Sequence, residues 1–133
     1  MSGNANLTVW HEHMKTKTHE GLLAQIADDA VFHSPVVHTP QAGKKLVFAY
    51  LSAADQVFDD ANFAYVDEIV DDAGNKAMLE FTAEIDGIHI NGIDIIHWNE
   101  EGEIQNFKVL VRPMKAMNML WEKMAAMLET MKG

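Results

Sequence analysis

The chain has 133 residues, with 20 acidic against 10 basic side chains and a formal charge of -10. That length suits one domain with a core of its own, and that charge argues against nucleic acid or an anionic membrane surface as partner. The absence of cysteine excludes disulfide scaffolds, thiol nucleophiles and thiolate metal sites together.

Residues 1 to 20 are polar and rich in His and Lys, with no apolar stretch of signal-peptide type, and no window approaches the length of a membrane span. The expectation is a soluble, cytoplasmic protein forming a single domain over residues 1–133. Asn6 to Lys17 reads as a first helix, because Leu7, Trp10 and Met14 are spaced for one face. Thr18 is placed to cap a second, short helix running through Ile26 and burying Leu22, Leu23 and Ile26. Asp28-Asp29 ends it, and Ala30 to His33 is a short strand closed by Ser34-Pro35. A loop with two prolines and a glycine leads to a third helix from Lys44 to Phe58, with Leu46, Val47, Tyr50, Leu51, Ala54 and Phe58 at helical intervals.

From there the period becomes strand-like. Phe63 to Val70 is one strand, and Asp71-Asp72-Ala73-Gly74-Asn75 has the residues a hairpin turn wants. Ala77 to Asp86 alternates, with Leu79, Phe81, Ala83 and Ile85 on one face and Glu80, Thr82, Glu84 and Asp86 on the other. Gly87 turns it into a strand containing Gly92-Ile93-Asp94-Ile95-Ile96-His97-Trp98, and Asn99 to Gly102 turns again into Ile104 to Arg112. Pro113 suits the start of a closing helix, whose apolar stripe is Met114, Met117, Leu120, Trp121, Met124, Met127, Leu128 and Met131. Helices followed by a strand, a helix and an antiparallel meander define an α+β class.

One acid stands out. The Asp94 strand is apolar on both faces, so it is covered on both sides, and Asp94 has little water around it. Such a carboxyl finds a donor, keeps its proton through a raised pKa, or belongs to a binding site. On the inner face its neighbours are Ile96, Trp98, Leu79, Phe81, Phe107 and Val109, a setting suited to a flat hydrophobic carbonyl compound.

The segments Ala27 to Pro35, Gly43-Lys44, Gly92-Ile93-Asp94 and Asn99 to Ile104 resemble the nuclear transport factor 2-like superfamily, and within it the SnoaL-like proteins. The resemblance runs from Trp10 to Pro113. It implies a curved antiparallel sheet forming a cone with helices on its concave face, and a homodimer through the outer face of the sheet. It also implies an isomerase or cyclase type of chemistry with Asp94 as acid/base, or a non-catalytic binding module of the same fold. Asp94 falls where ketosteroid isomerases keep the acid that stabilises the oxyanion. Trp10 replaces their first-helix tyrosine, and Ser34 stands where they place the base. Two of three roles are thus altered, which speaks against steroid isomerisation by that mechanism.

The candidate site is therefore Asp94 with His38 as catalytic groups, and Trp10, Ser34, Tyr50, Phe81, Trp98 and Phe107 against the ligand. Between the two histidines that bracket Ser34 to Val37, alternation turns His33 away from Ser34 and favours His38 as a base. His11 and His13 lie two apart on a helix, a spacing that diverges, and read as a solvated face rather than a metal pair. His89 and His97 lack a third ligand, so no metal is expected, and no glycine-rich phosphate loop indicates a cofactor. Glu80, Glu84, Lys108 and Arg112 read as cross-strand ion pairs on the outer face. Ile93, Ile95 and Leu110 on the same face call for a second copy to cover them.

Overall fold

A computed structural model of the protein describes residues 5–132, with side chains to residue 130. Its elements are α1 (Ala5–Thr16), α2 (His19–Ala24), β1 (Ile26–His33), β2 (Gln41–Ala42), α3 (Lys44–Val57), β3 (Ala64–Val70), β4 (Lys76–Ile85), β5 (Ile88–Trp98), β6 (Ile104–Arg112) and α4 (Met114–Lys132). The strands form one open, curved sheet in the order β2-β1-β6-β5-β4-β3. β1 runs parallel to β6 and every other pair is antiparallel.

The β3–β6 meander follows from alternation and turn chemistry. Asp71 Oδ1 accepts from the backbone N–H groups of Asn75 and Lys76 at 2.8 and 3.1 Å, closing the β3–β4 turn, in which Gly74 takes a positive φ of 73°. The inner face then buries Leu79, Phe81, Ile96, Trp98 and Phe107, each at most 2 % exposed. Burial of a side chain of this size contributes about 1.5–3 kcal/mol, so this wall supplies much of the core's stability.

The start of the sheet differs from the sequence reading. Ile26 begins β1 instead of ending α2, and Asp28 and Asp29 lie within the strand. Asp-Asp reads as a stop signal because both carboxylates need water, and a bulge supplies it. The pairing with β6 jumps from Ile26↔Ile104 to Val31↔Asn106, and the exposed segment is tied down by Gln105 Nε2, which donates to Asp29 Oδ1 at 2.9 Å.

The closing helix turns most of its expected stripe inward, with Leu120 buried and Met117, Met124, Met127 and Leu128 half-buried. Its buried residues are Ala116, Met119 and Leu120, an i, i+3, i+4 set. Met114 and Trp121, two members of the expected stripe, are 76 % and 59 % exposed. Tallying large apolar residues passed over Ala116, whose small side chain lets the helix approach the sheet. Met131 lies outside the described side chains.

On the outer face, the expected direct ion pairs are replaced by a relay through Asn91. Its amide donates to Glu80 Oε2 at 2.9 Å and its carbonyl accepts from Arg112 Nε at 2.9 Å. β5 lies between β4 and β6, so Glu80 and Arg112 are two strands apart and out of direct reach. Glu84 pairs with exposed His89 at 3.5 Å.

Candidate functional site

The inner face of the sheet and helices α1, α3 and α4 enclose a cleft lined by both walls. The space between its walls is about 740 Å³, the open mouth included. Most of the lining is aromatic or aliphatic, and among the described residues its only carboxylates are Asp94 and Asp55.

Asp94 belongs to the sheet wall. Alternation along β5 turns it inward between Leu79 of β4 and Val109 of β6, and it is 7 % exposed. The Tyr65 hydroxyl donates to Asp94 Oδ2 at 2.6 Å, and Trp10 Nε1 donates to the Tyr65 oxygen at 3.0 Å. A helix, an edge strand and a central strand are thus joined in one polar chain through an apolar interior.

Space for this chain is made at Gly92. Tyr65 pairs with Phe81, and Phe81 with Gly92. A Cβ on Gly92 would stand 2.4 Å from the Phe81 ring and 2.8 Å from the Leu110 carbonyl, so only glycine lets Phe81 lie flat across β5. Phe81 stacks on Phe63 with centroids 4.9 Å apart, and Phe63 meets Tyr65 edge-on at 5.1 Å. These rings exclude water from the Tyr65–Asp94 bond.

The electrostatics follow from that exclusion. Burial pushes Asp94 up from the ordinary 3.8 to about 7; the hydrogen bond from Tyr65 opposes the rise and the negative charge of Asp55 adds to it. Burial also raises Tyr65 well above its ordinary value, with the charge and hydrogen bond of Asp94 acting in the same sense. Tyr65 is accordingly a neutral donor, and near neutrality Asp94 exists in both protonation states.

Asp55 belongs to the helix wall. His13, on α1, is 3 % exposed, and its Nε2 lies 2.9 Å from Asp55 Oδ2. This corrects the expected solvated face. Comparison of His11 with His13 considered only their mutual spacing, whereas His13 follows Trp10 by three and shares its inward face; the two rings are 5.4 Å apart. His11 does diverge, and meets Glu68 Oε1 at 3.2 Å.

Of the residues singled out in the sequence, Asp94, Trp10, Ser34, Phe81 and Phe107 line the cleft. Trp98, at 2 % exposed, belongs to the packed core, and Tyr50 stacks on Phe32 with centroids 5.2 Å apart. Neither lines the cleft. His38 is exposed and outside it, in the loop after β1, where no packed element turns it inward, and His33 is half-buried and also absent from the lining. Ser34 Oγ accepts from the backbone N–H of Val36 at 3.1 Å. The residues that the sequence reading passed over are Tyr65, Asp55 and His13. Asp55 had a signal, because it follows Leu51 by four and so falls on the apolar stripe of α3.

An open, curved six-stranded sheet wrapped around helices, with a carboxyl at the base of an apolar cleft, is the cone architecture of nuclear transport factor 2-like proteins. The SnoaL-like domain family matches residues 7–107, and the chain belongs to that family. It is similar to a steroid Δ-isomerase from Pseudomonas aeruginosa, with 34 % identity, a TM-score of 0.89, and coverage of 96 % of this chain and 92 % of that one. It is also similar to a protein with a cystatin-like fold from Silicibacter pomeroyi, at 28 % identity and TM-score 0.83, covering 92 % of this chain and 84 % of that one. A protein of the same fold from Mesorhizobium loti shares 17 % identity at TM-score 0.71 over 84 % of this chain and 91 % of that one, a likeness of fold alone. Among curated proteins none matches the chain. Among the described residues no helix is long and apolar enough to cross a membrane.

Proposed function

We propose that the protein binds a flat, apolar carbonyl compound in the cleft and acts on it as an isomerase or cyclase, with Asp94 as acid/base at the carbonyl oxygen. The observation that carries this reading is a carboxyl 7 % exposed, held by the Tyr65 hydroxyl at 2.6 Å inside a mostly apolar cleft. In its protonated form Asp94 can donate to a carbonyl oxygen or the enol it becomes, in surroundings poor in competing donors. A structural acid would need only Tyr65; this one also lines the open space.

β-Naphthol, a flat phenol with the shape and charge of an enol, is the probe. Titration calorimetry is expected to show binding that Asp94→Asn weakens by about 10- to 100-fold, the worth of a charge-assisted hydrogen bond. Equal affinity for both proteins would remove Asp94 from the site. The second reading, a binding module without turnover, draws on Ser34, which lines the cleft and is no base.

The outer face supports a homodimer. Met78 and Leu110 are 42 % and 51 % exposed, and Ile93 and Ile95 beside them are half-buried, an apolar band that a second copy would cover isologously. Sedimentation equilibrium is expected to return a dimer that Leu110→Glu dissociates; a native monomer would contradict it.

A further inference from the structure

Helix α3 carries two inward faces of opposite character. Leu51, Ala54 and Phe58 fall on one stripe and line the cleft. Ser52, Asp55 and Gln56, with Asp59 just past the helix end, fall on the other at i, i+3, i+4 and i+7. They line a separate groove, which α2 and the far end of α4 close with Leu22 and Met127. The groove has about 750 Å³, its open side included. Its floor holds an unmet polar group: Ser52 is 2 % exposed, and its Oγ is buried without a partner. An unmatched buried hydroxyl is costly, and a serine within a helix can satisfy itself by bonding to the carbonyl one turn back. Here it does not. Lys17 and Asp55 line both the groove and the cleft, so the two spaces adjoin across them. Lys17, in the connection between α1 and α2, is half-buried and makes no ion pair among the described residues.

We propose that this groove is a subsite for a hydroxylated arm, of sugar or polyol type, carried by the ligand whose apolar ring lies in the cleft. This rests on the reading of the cleft given above and adds a second half to the ligand. Charge and hydrogen bonding decide the chemistry of the arm. An apolar arm would leave the Ser52 hydroxyl and the polar stripe of α3 unmatched. An anionic arm would meet the carboxylates of Asp55 and Asp59 against one ammonium, in a chain of formal charge -10. A cationic arm would have to pass Lys17 and would bring no lone pair for the Ser52 O–H. Hydroxyl groups both donate and accept, so they can donate to Asp55 and Asp59 and accept from Ser52, Lys17 and Gln56. Thr18 adds a further donor, because its Oγ1 accepts from the Gly21 N–H at 3.2 Å while its own hydrogen remains. Leu22 and Met127 offer apolar surface to the C–H face of such an arm.

The test uses the full-length protein, titration calorimetry and two probes with the same naphthol ring. 6-Methoxy-2-naphthol occupies the cleft alone, and 6-hydroxy-2-naphthyl β-D-xyloside carries a sugar where the other carries its methyl group. The xyloside is expected to bind about tenfold more tightly, the worth of one or two neutral hydrogen bonds. Ser52→Ala is expected to cut that advantage about three- to tenfold. Its affinity for methoxynaphthol should stay native and its melting temperature should not fall, because Oγ bonds nothing in the protein. Gln56→Trp, at an exposed position, fills the groove from outside and is expected to abolish the advantage with cleft affinity retained. A xyloside that binds no more tightly than methoxynaphthol, or an advantage that both variants leave intact, would overturn the proposal. A Ser52→Ala protein that melts lower and keeps the advantage would mark a structural serine and overturn it too. Asp94→Asn keeps the two readings apart. If it weakens methoxynaphthol and the sugar adds nothing in the native protein, the groove falls alone. If it leaves methoxynaphthol unchanged while the sugar's advantage still depends on Ser52, the reading of Asp94 falls and the groove stands.

Discussion

The two walls of the cleft carry one carboxylate each and treat them in opposite ways. The sheet wall buries Asp94 to 7 % exposure among rings that exclude water, and gives it one hydroxyl donor. The helix wall leaves the Asp55 side chain 18 % exposed and fixes it with a buried imidazole. A β-strand in the middle of a sheet can hide a side chain on both flanks, while a helix facing it across an open space cannot. Position in the fold thus divides the two acids: one is shut among rings and has its pKa raised to about 7, the other keeps part of its side chain in the open.

The comparison breaks most visibly in binding. Asp94→Asn is expected to weaken β-naphthol about 10- to 100-fold, whereas Asp55→Asn is expected to keep native affinity. If both variants lose the probe equally, the walls do not have separate roles.

A second effect lies in stability. The folded-state pKa of Asp94 is raised from 3.8 to about 7, so between those values the folded protein binds more protons than the unfolded chain. Stability therefore falls as pH rises through that window, and the full cost of burying the charge is present above it. The rise corresponds to on the order of 4 kcal/mol. Asp94→Asn, which keeps an acceptor for Tyr65, is expected to be more stable than the native protein above that window. The advantage should fade towards pH 4, well below the value of about 7. Thermal melts across this range check it. A variant destabilised at every pH would show that Asp94 is a structural acid.

The meander was legible because its signals are local. Alternation fixed which face Leu79, Phe81, Asp94 and Phe107 present, and the Asp71–Asn75 turn fixed the hairpin. What escaped depends on elements distant in sequence. Tyr65 and Asp94 are 29 positions apart, and His13 and Asp55 are 42 apart. No period within one element reports a partner on another. His38 lies outside the cleft for a related reason: nothing in the loop's composition aims it. His13, dismissed by its spacing from His11, was recoverable from its spacing to Trp10. The bulge in β1 hid behind Asp28-Asp29, whose turn chemistry is satisfied within a strand when that strand bends.

The central claim is that Asp94 holds its proton up to neutrality and meets the ligand there. Infrared difference titration of native protein against Asp94→Asn, with and without β-naphthol, tests it most directly. The account predicts a protonated-carboxyl band that titrates near 7 and moves when β-naphthol binds. A band that disappears in the ordinary carboxylate range, near 3.8, and ignores the probe would contradict it.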